Sequence, residues 1–150
     1  MSLIISLGSN LGERENNLGK ALELLQKYFK LKAKSSICET EPVDYLEQPK
    51  FLNQLIEFEL PSMGPFEILK ITQGVEKEMG RVKNIPKGPR NIDVDILFLG
   101  FQKVKTPELE IPHHAWSKRP FNLQMLQDLN FFQKIQNNFA SCDSFESFIH

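Results

Sequence analysis

The chain has 150 residues, enough for one domain, expected over 1–150, with a sizeable core. Its formal charge of −1, with 25% charged residues, argues against a general nucleic-acid or membrane-surface binder. Cys38 and Cys142 match no C-x-x-C spacing, and the opening Met-Ser-Leu-Ile-Ile-Ser-Leu lacks both a basic leader and a spanning-length apolar run, so a reducing, cytoplasmic setting is expected.

In chain order, Leu3 to Leu7 reads as a short buried strand that ends at the turn-rich Gly8-Ser9-Asn10-Leu11-Gly12. Leu18, Ala21, Leu22, Leu25 and Phe29 fall at helical spacing and predict a first amphipathic helix. Lys32 to Cys38 alternates loosely as a second strand. Glu39 to Lys50 holds two prolines and no periodicity, and reads as a loop of a length often given to function. Phe51 to Leu60 is a clearer strand, with Leu52, Ile56, Phe58 and Leu60 on one face. Gly64-Pro65 suits a helix start, Ile68, Ile71, Val75 and Met79 form its stripe, and Gly80 fits its C-terminal cap. Arg81 to Pro89 is a basic loop, followed by a strand within the stretch Gly88 to Gly100 and a short segment within Thr106 to Pro112. The tail from Phe121 predicts one or two short helices. This order is the split βαβ pattern: an α+β, ferredoxin-like domain with two helices over one face of an antiparallel sheet.

Asp93 and Asp95 lie two apart in an otherwise apolar, β-branched run. Alternation puts both carboxylates on one face and Ile92, Val94 and Ile96 on the other. Adjacent carboxylates on a half-buried strand repel unless a cation sits between them, and Mg²⁺ uses one or two carboxylates beside waters and phosphate oxygens. The alternative is an edge strand with a solvated outer face. Arg81 and Arg90 lie close in sequence and could face the same anion, although each alone is commonly a solvated surface charge. No G-x-x-x-x-G-K-[ST] occurs, which excludes a P-loop. Ile111 to Phe121 concentrates His113, His114, Trp116, Lys118 and Arg119, groups able to bind phosphate or stack on a ring; spacing allows at most one of the two histidines a functional role. Gly8-Ser9-Asn10 could be an anion nest, and an ordinary turn is the favoured reading. Thr40, Pro42, Phe51 and Asn53 suit a flat heterocycle, or equally core packing.

Together these stretches resemble the 6-hydroxymethyl-7,8-dihydropterin pyrophosphokinase family. The matching residues are Ser6-Leu-Gly-Ser-Asn-Leu11, Glu39-Thr-Glu-Pro42, Gln48-Pro49 and Phe51-Leu-Asn53. They continue through Glu76-Lys-Glu-Met-Gly-Arg81, Gly88-Pro-Arg-Asn-Ile-Asp-Val-Asp-Ile96, Ile111-Pro-His113 and Arg119-Pro-Phe121. The resemblance implies transfer of the pyrophosphoryl group of ATP to the hydroxymethyl group of a reduced pterin, with release of AMP, in folate synthesis. It implies that Asp93 and Asp95 hold two Mg²⁺ ions, and that Arg81, Arg90, Asp93 and Asp95 are catalytic. By the same likeness Gln73, Glu76, Arg81, Arg90, Ile96, His113 and Arg119 belong to the ATP site. Thr40, Pro42, Val43, Phe51, Asn53, Asp93 and Phe121 belong to the pterin site. The expected partners are those two small molecules alone, with no nucleic acid and no membrane, and the expected state is a monomer.

The chain departs from the family in places. Lys87 stands where many members carry an aromatic before Gly-Pro-Arg, and the basic loop is thinned to Lys83, Asn84 and Pro86. Glu108 stands where some members carry arginine. Two rivals are a ferredoxin-like module that binds nucleotide or metal without catalysis, and an RNA-binding module. The second predicts basic and aromatic residues on the open sheet face, where this chain has Asp93 and Asp95.

Overall fold

A computed structural model describes residues 1–42, 47–80, 90–113 and 125–129. The elements are β1 (Ser2–Ser9), α1 (Arg14–Leu25), β2 (Leu31–Lys34), β3 (Cys38–Thr40), β4 (Phe51–Glu59), α2 (Pro65–Glu78), β5 (Asp93–Leu99), β6 (Val104–Lys105) and β7 (Glu110–Ile111). The strand order β2-β4-β1-β5, all antiparallel, carries β3 beside β4 and is the order of a ferredoxin-like α+β fold. β6 and β7 form a separate ribbon.

The helices form where the apolar stripes call for them. Proline opens α2 at its first position, where a missing N–H costs nothing, and Gly80 ends it at φ +77°, the left-handed conformation that glycine adopts without strain. Their stripes, Leu18, Ala21, Leu22 and Leu25 from α1 with Ile68 and Val75 from α2, pack on Leu3, Ile5, Leu7, Ile56, Phe58, Val94 and Ile96 of the sheet. Phe29 lies beyond the end of α1 yet is buried in the same core, its ring centroid 5.4 Å from that of Phe58. Leu60 falls outside β4 and is 38% exposed, so the apolar face of that strand ends at Phe58.

Two further boundaries differ from the sequence expectation. Gly8 and Ser9 belong to β1, paired with Asn53 and Leu52, so the turn begins at Asn10. The expected strand 32–38 is two strands, and Glu39 and Thr40 lie in β3 rather than in a loop. Ser35 makes the break. Its N–H donates to the Leu55 carbonyl while its own Oγ accepts the Leu55 N–H, each at 2.9 Å, so a hydroxyl replaces a main-chain carbonyl in the ladder.

The face away from the helices divides in two. At one end Ile4, Leu55, Leu97 and Phe98 are covered by Met125, Leu126 and Leu129. Leu97 is an extra residue between the pairs Ile4↔Phe98 and Ile5↔Ile96, and this bulge turns both Leu97 and Phe98 to that face. Asp128 fastens the cover, its Oδ2 accepting from the Ser36 N–H at 3.2 Å and the Ser36 Oγ at 3.0 Å. Of the expected tail helices, the described part is this single turn at 125–129. At the other end of the same face the side chains are Ser6, Asn53, Asp93 and Asp95, with Gly8 among them.

Candidate active site

Among the described strands β5 lies at the sheet edge, and its alternation puts Val94 and Ile96 into the helix-side core while Asp93 and Asp95 stand half-buried on the other face. Register then sets their neighbours: Gly8 lies opposite Asp93, Ser6 opposite Asp95, and Asn53 opposite Gly8 on the far side. Asn53, Gly8 and Asp93 thus form one row across three strands. A Cβ on Gly8 would sit 3.2 Å from Asn53 Oδ1, 3.7 Å from Phe51 Cδ1 and 3.9 Å from Asp93 Cβ. The missing side chain keeps that row open.

Arg90, just before β5, carries the described positive charge next to the acids. Its Nε lies 2.7 Å from Asp93 Oδ2, too far off the N–H axis for a hydrogen bond, so the contact is an ion pair. Its guanidinium carbon also lies 5.1 Å from the centroid of the Phe51 ring, a cation–π distance. Phe51 opens β4 opposite Thr40 of β3, and Asn53 Nδ2 donates to Thr40 Oγ1 at 2.5 Å. Pro42, which follows, is buried. An amide and an aromatic ring on β4, with a hydroxyl on β3 beyond them, therefore stand across β1 from the acid pair of β5 and its arginine.

Two further expected residues approach from other elements. Glu76 of α2 accepts the Val94 N–H on Oε2 at 3.1 Å, which satisfies a donor on the open edge of β5. The His113 N–H donates to the Leu97 carbonyl at 3.1 Å, which holds the segment just after β7 against β5. Gln73 is exposed on α2. The Ile96 side chain is 3% exposed in the helix-side core, away from the acidic face. Val43, Arg81, Arg119 and Phe121 lie outside the described residues.

Among the described residues no group of three or more His, Cys, Asp or Glu side chains could hold a metal. The pair Asp93 and Asp95 nonetheless suits Mg²⁺, which keeps waters and takes phosphate oxygens to complete its shell, so two carboxylates on one face are a sufficient protein contribution.

Asn10 is the residue whose part the sequence hides. Read as one position of a turn, it is 2% exposed and its side chain bonds Arg90, Gln48 and Pro49. The sequence signal was its place in Ser6-Leu-Gly-Ser-Asn-Leu11, which says nothing of partners 38 to 80 positions away.

The pattern of the family described as 7,8-dihydro-6-hydroxymethylpterin-pyrophosphokinase (HPPK) matches residues 4–131. A 2-amino-4-hydroxy-6-hydroxymethyldihydropteridine pyrophosphokinase of Bacillus subtilis is 37% identical over 142 residues, 93% of this chain and 83% of that protein. One from Pseudomonas aeruginosa is 34% identical over 127 residues, 83% of this chain and 78% of that protein. A folate synthesis bifunctional protein of Arabidopsis thaliana is 42% identical over 138 residues, 91% of this chain. The chain spans only 28% of the length of that plant relative.

Proposed function

The chain belongs to the 7,8-dihydro-6-hydroxymethylpterin-pyrophosphokinase family, and from that premise we propose that it transfers the β,γ-pyrophosphoryl group of ATP to 6-hydroxymethyl-7,8-dihydropterin, releasing AMP, as a step of folate synthesis. The observation that carries the reading is the row Asn53, Gly8 and Asp93, with Asp95 and Arg90 beside it. It sets groups suited to a pterin edge next to groups suited to a metal-bound triphosphate.

In the reaction, the hydroxymethyl oxygen attacks the β-phosphorus and loses its proton, and the bond from that phosphorus to the α,β-bridging oxygen breaks. AMP leaves with that oxygen. Such a transfer is mostly positioning and charge neutralisation. Asp93 and Asp95 would hold Mg²⁺, two ions by the family likeness. Bound there, the metal supplies neutralisation of the phosphate oxygens. Arg90 is anchored on Asp93 and Phe51, and its guanidinium can donate to a phosphate from that position. Arg81, His113 and Arg119 are assigned to the same phosphates, and Gln73 and Glu76 to the nucleotide, with Ile96 able to meet it only through its main chain because its side chain is buried on the helix side. Thr40 and Asn53 would meet the donors and acceptors on the pterin edge, and Phe51 its face, with Pro42, Val43 and Phe121 completing the pocket.

No described helix is long and apolar enough to cross a membrane. The proposal keeps a cytoplasmic monomer that acts on small molecules and binds neither nucleic acid nor membrane. The test is incubation with ATP, Mg²⁺ and the reduced pterin. AMP is the expected nucleotide product, lost on chelation of the metal and in Asp95→Ala. ADP as the product, or unchanged turnover in Asp95→Ala, would overturn the reading.

A further inference from the structure

β1 carries the serines Ser2, Ser6 and Ser9, and all of them are buried. Ser2 Oγ donates to Glu57, and Ser9 Oγ accepts from Asn17 Nδ2 at 3.2 Å. Ser6, 6% exposed, is the exception: its hydroxyl forms no hydrogen bond with any described residue. A hydroxyl withdrawn from water and left without a partner destabilises a fold, and alanine would fill the same place without that cost. Packing alone does not account for it.

Register says what the hydroxyl faces. Ser6 pairs with Asp95 across β1 and β5, and with Leu55 across β1 and β4. Opposed residues of antiparallel strands point to one face with their Cβ atoms about 4.5–5.5 Å apart, so Ser6 stands beside the Asp95 carboxylate. Leu55 belongs to the second core, closed by Met125, Leu126 and Leu129. Ser6 and Asp95 therefore form the row where the apolar half of the face meets the acidic half. A hydroxyl unspent on the protein, next to one of two carboxylates suited to Mg²⁺, is placed to serve the shell of that ion. Mg²⁺ keeps several waters when carboxylates bind it, and outer-shell hydrogen bonds of this kind tune how tightly an ion is held.

We propose that Ser6 is a positioning residue of the metal site, its hydroxyl accepting a hydrogen bond from a water of the Mg²⁺ that Asp95 holds. The inference rests on the functional reading above. It adds an outer-shell partner on β1 to the two carboxylates of β5.

Calorimetry on the whole chain tests it. Binding of a non-hydrolysable ATP analogue is followed at a series of Mg²⁺ concentrations, which gives the Mg²⁺ midpoint. Ser6→Ala should raise that midpoint about tenfold, the low end of the loss on removing an outer-shell partner. The dissociation constant of 6-hydroxymethylpterin, measured without metal or nucleotide, should stay as in the wild type. A purely structural role would weaken the pterin as well, or lower the melting temperature and leave the midpoint in place. Ser6→Thr and Ser6→Val have nearly the same volume and differ in the hydroxyl, so they decide should Ser6→Ala fail to fold. The threonine variant should keep a midpoint near the wild type, and the valine variant should behave as the alanine one. An unchanged midpoint in Ser6→Ala, or equal midpoints for threonine and valine, overturns the inference while AMP formation by the wild type leaves the functional reading standing. A wild type that binds no analogue, or binds it without regard to Mg²⁺, overturns both.

Discussion

Gly8 sets the room between Asn53 and Asp93. In Gly8→Ala the new methyl would press on Asn53 Oδ1 at 3.2 Å, a carboxamide already committed to Thr40. Overpacking of this kind costs about 1–3 kcal/mol. Steady-state kinetics should show KM for the pterin raised about tenfold and KM for ATP nearly unchanged. An equal rise in both would contradict the assignment of this row to the pterin. Glu57 makes a different case. Its side chain is fully buried, 3.5 Å from Lys32 Nζ, and its Oε2 accepts from Ser2 Oγ at 2.5 Å, while Oε1 has no hydrogen-bond partner. Lys32→Met keeps the aliphatic stem and leaves a buried carboxylate without its cation, which should cost about 3 kcal/mol in urea denaturation. Adding Glu57→Gln should restore most of that loss, because the uncompensated charge is then gone.

At the scale of elements, the acidic strand is the part most legible in the sequence. A period of two is a local rule, so the separation of Asp93 and Asp95 from Val94 and Ile96 needed no knowledge of other strands. Gly64-Pro65 and Gly80 marked the ends of α2 for equally local reasons. The break between β2 and β3 was not legible, because it depends on a hydrogen bond from Leu55, 20 positions away, to the Ser35 hydroxyl. Ser35→Ala deletes that acceptor and leaves a buried N–H unsatisfied. A loss of about 2 kcal/mol is expected by urea denaturation, and no loss would mean that the hydroxyl is incidental to the break.

Across the whole molecule, one sheet face serves two purposes. Its far end is an apolar surface closed by Met125, Leu126 and Leu129, and its near end carries the acids. The sequence predicted short helices in the tail but not that one turn of it closes a second core, because residues 125–129 follow no sustained period and β1 is buried on both faces. Asn10 escaped for the same reason: a turn residue carries no mark of the two limbs it will join. If the closing turn is integral, Leu126→Ala should destabilise the fold by about 2–5 kcal/mol through the cavity it leaves, while each folded molecule keeps its activity. A cost near zero would make that segment peripheral. The central claim, that the row beside Asp93 and Asp95 directs attack to the β-phosphorus, is tested most directly by ATP labelled at the β position. Transfer as proposed puts the label on the pterin and none on the released nucleotide, which is AMP. Label retained on ADP, with the pterin carrying only the γ-phosphate, would contradict it.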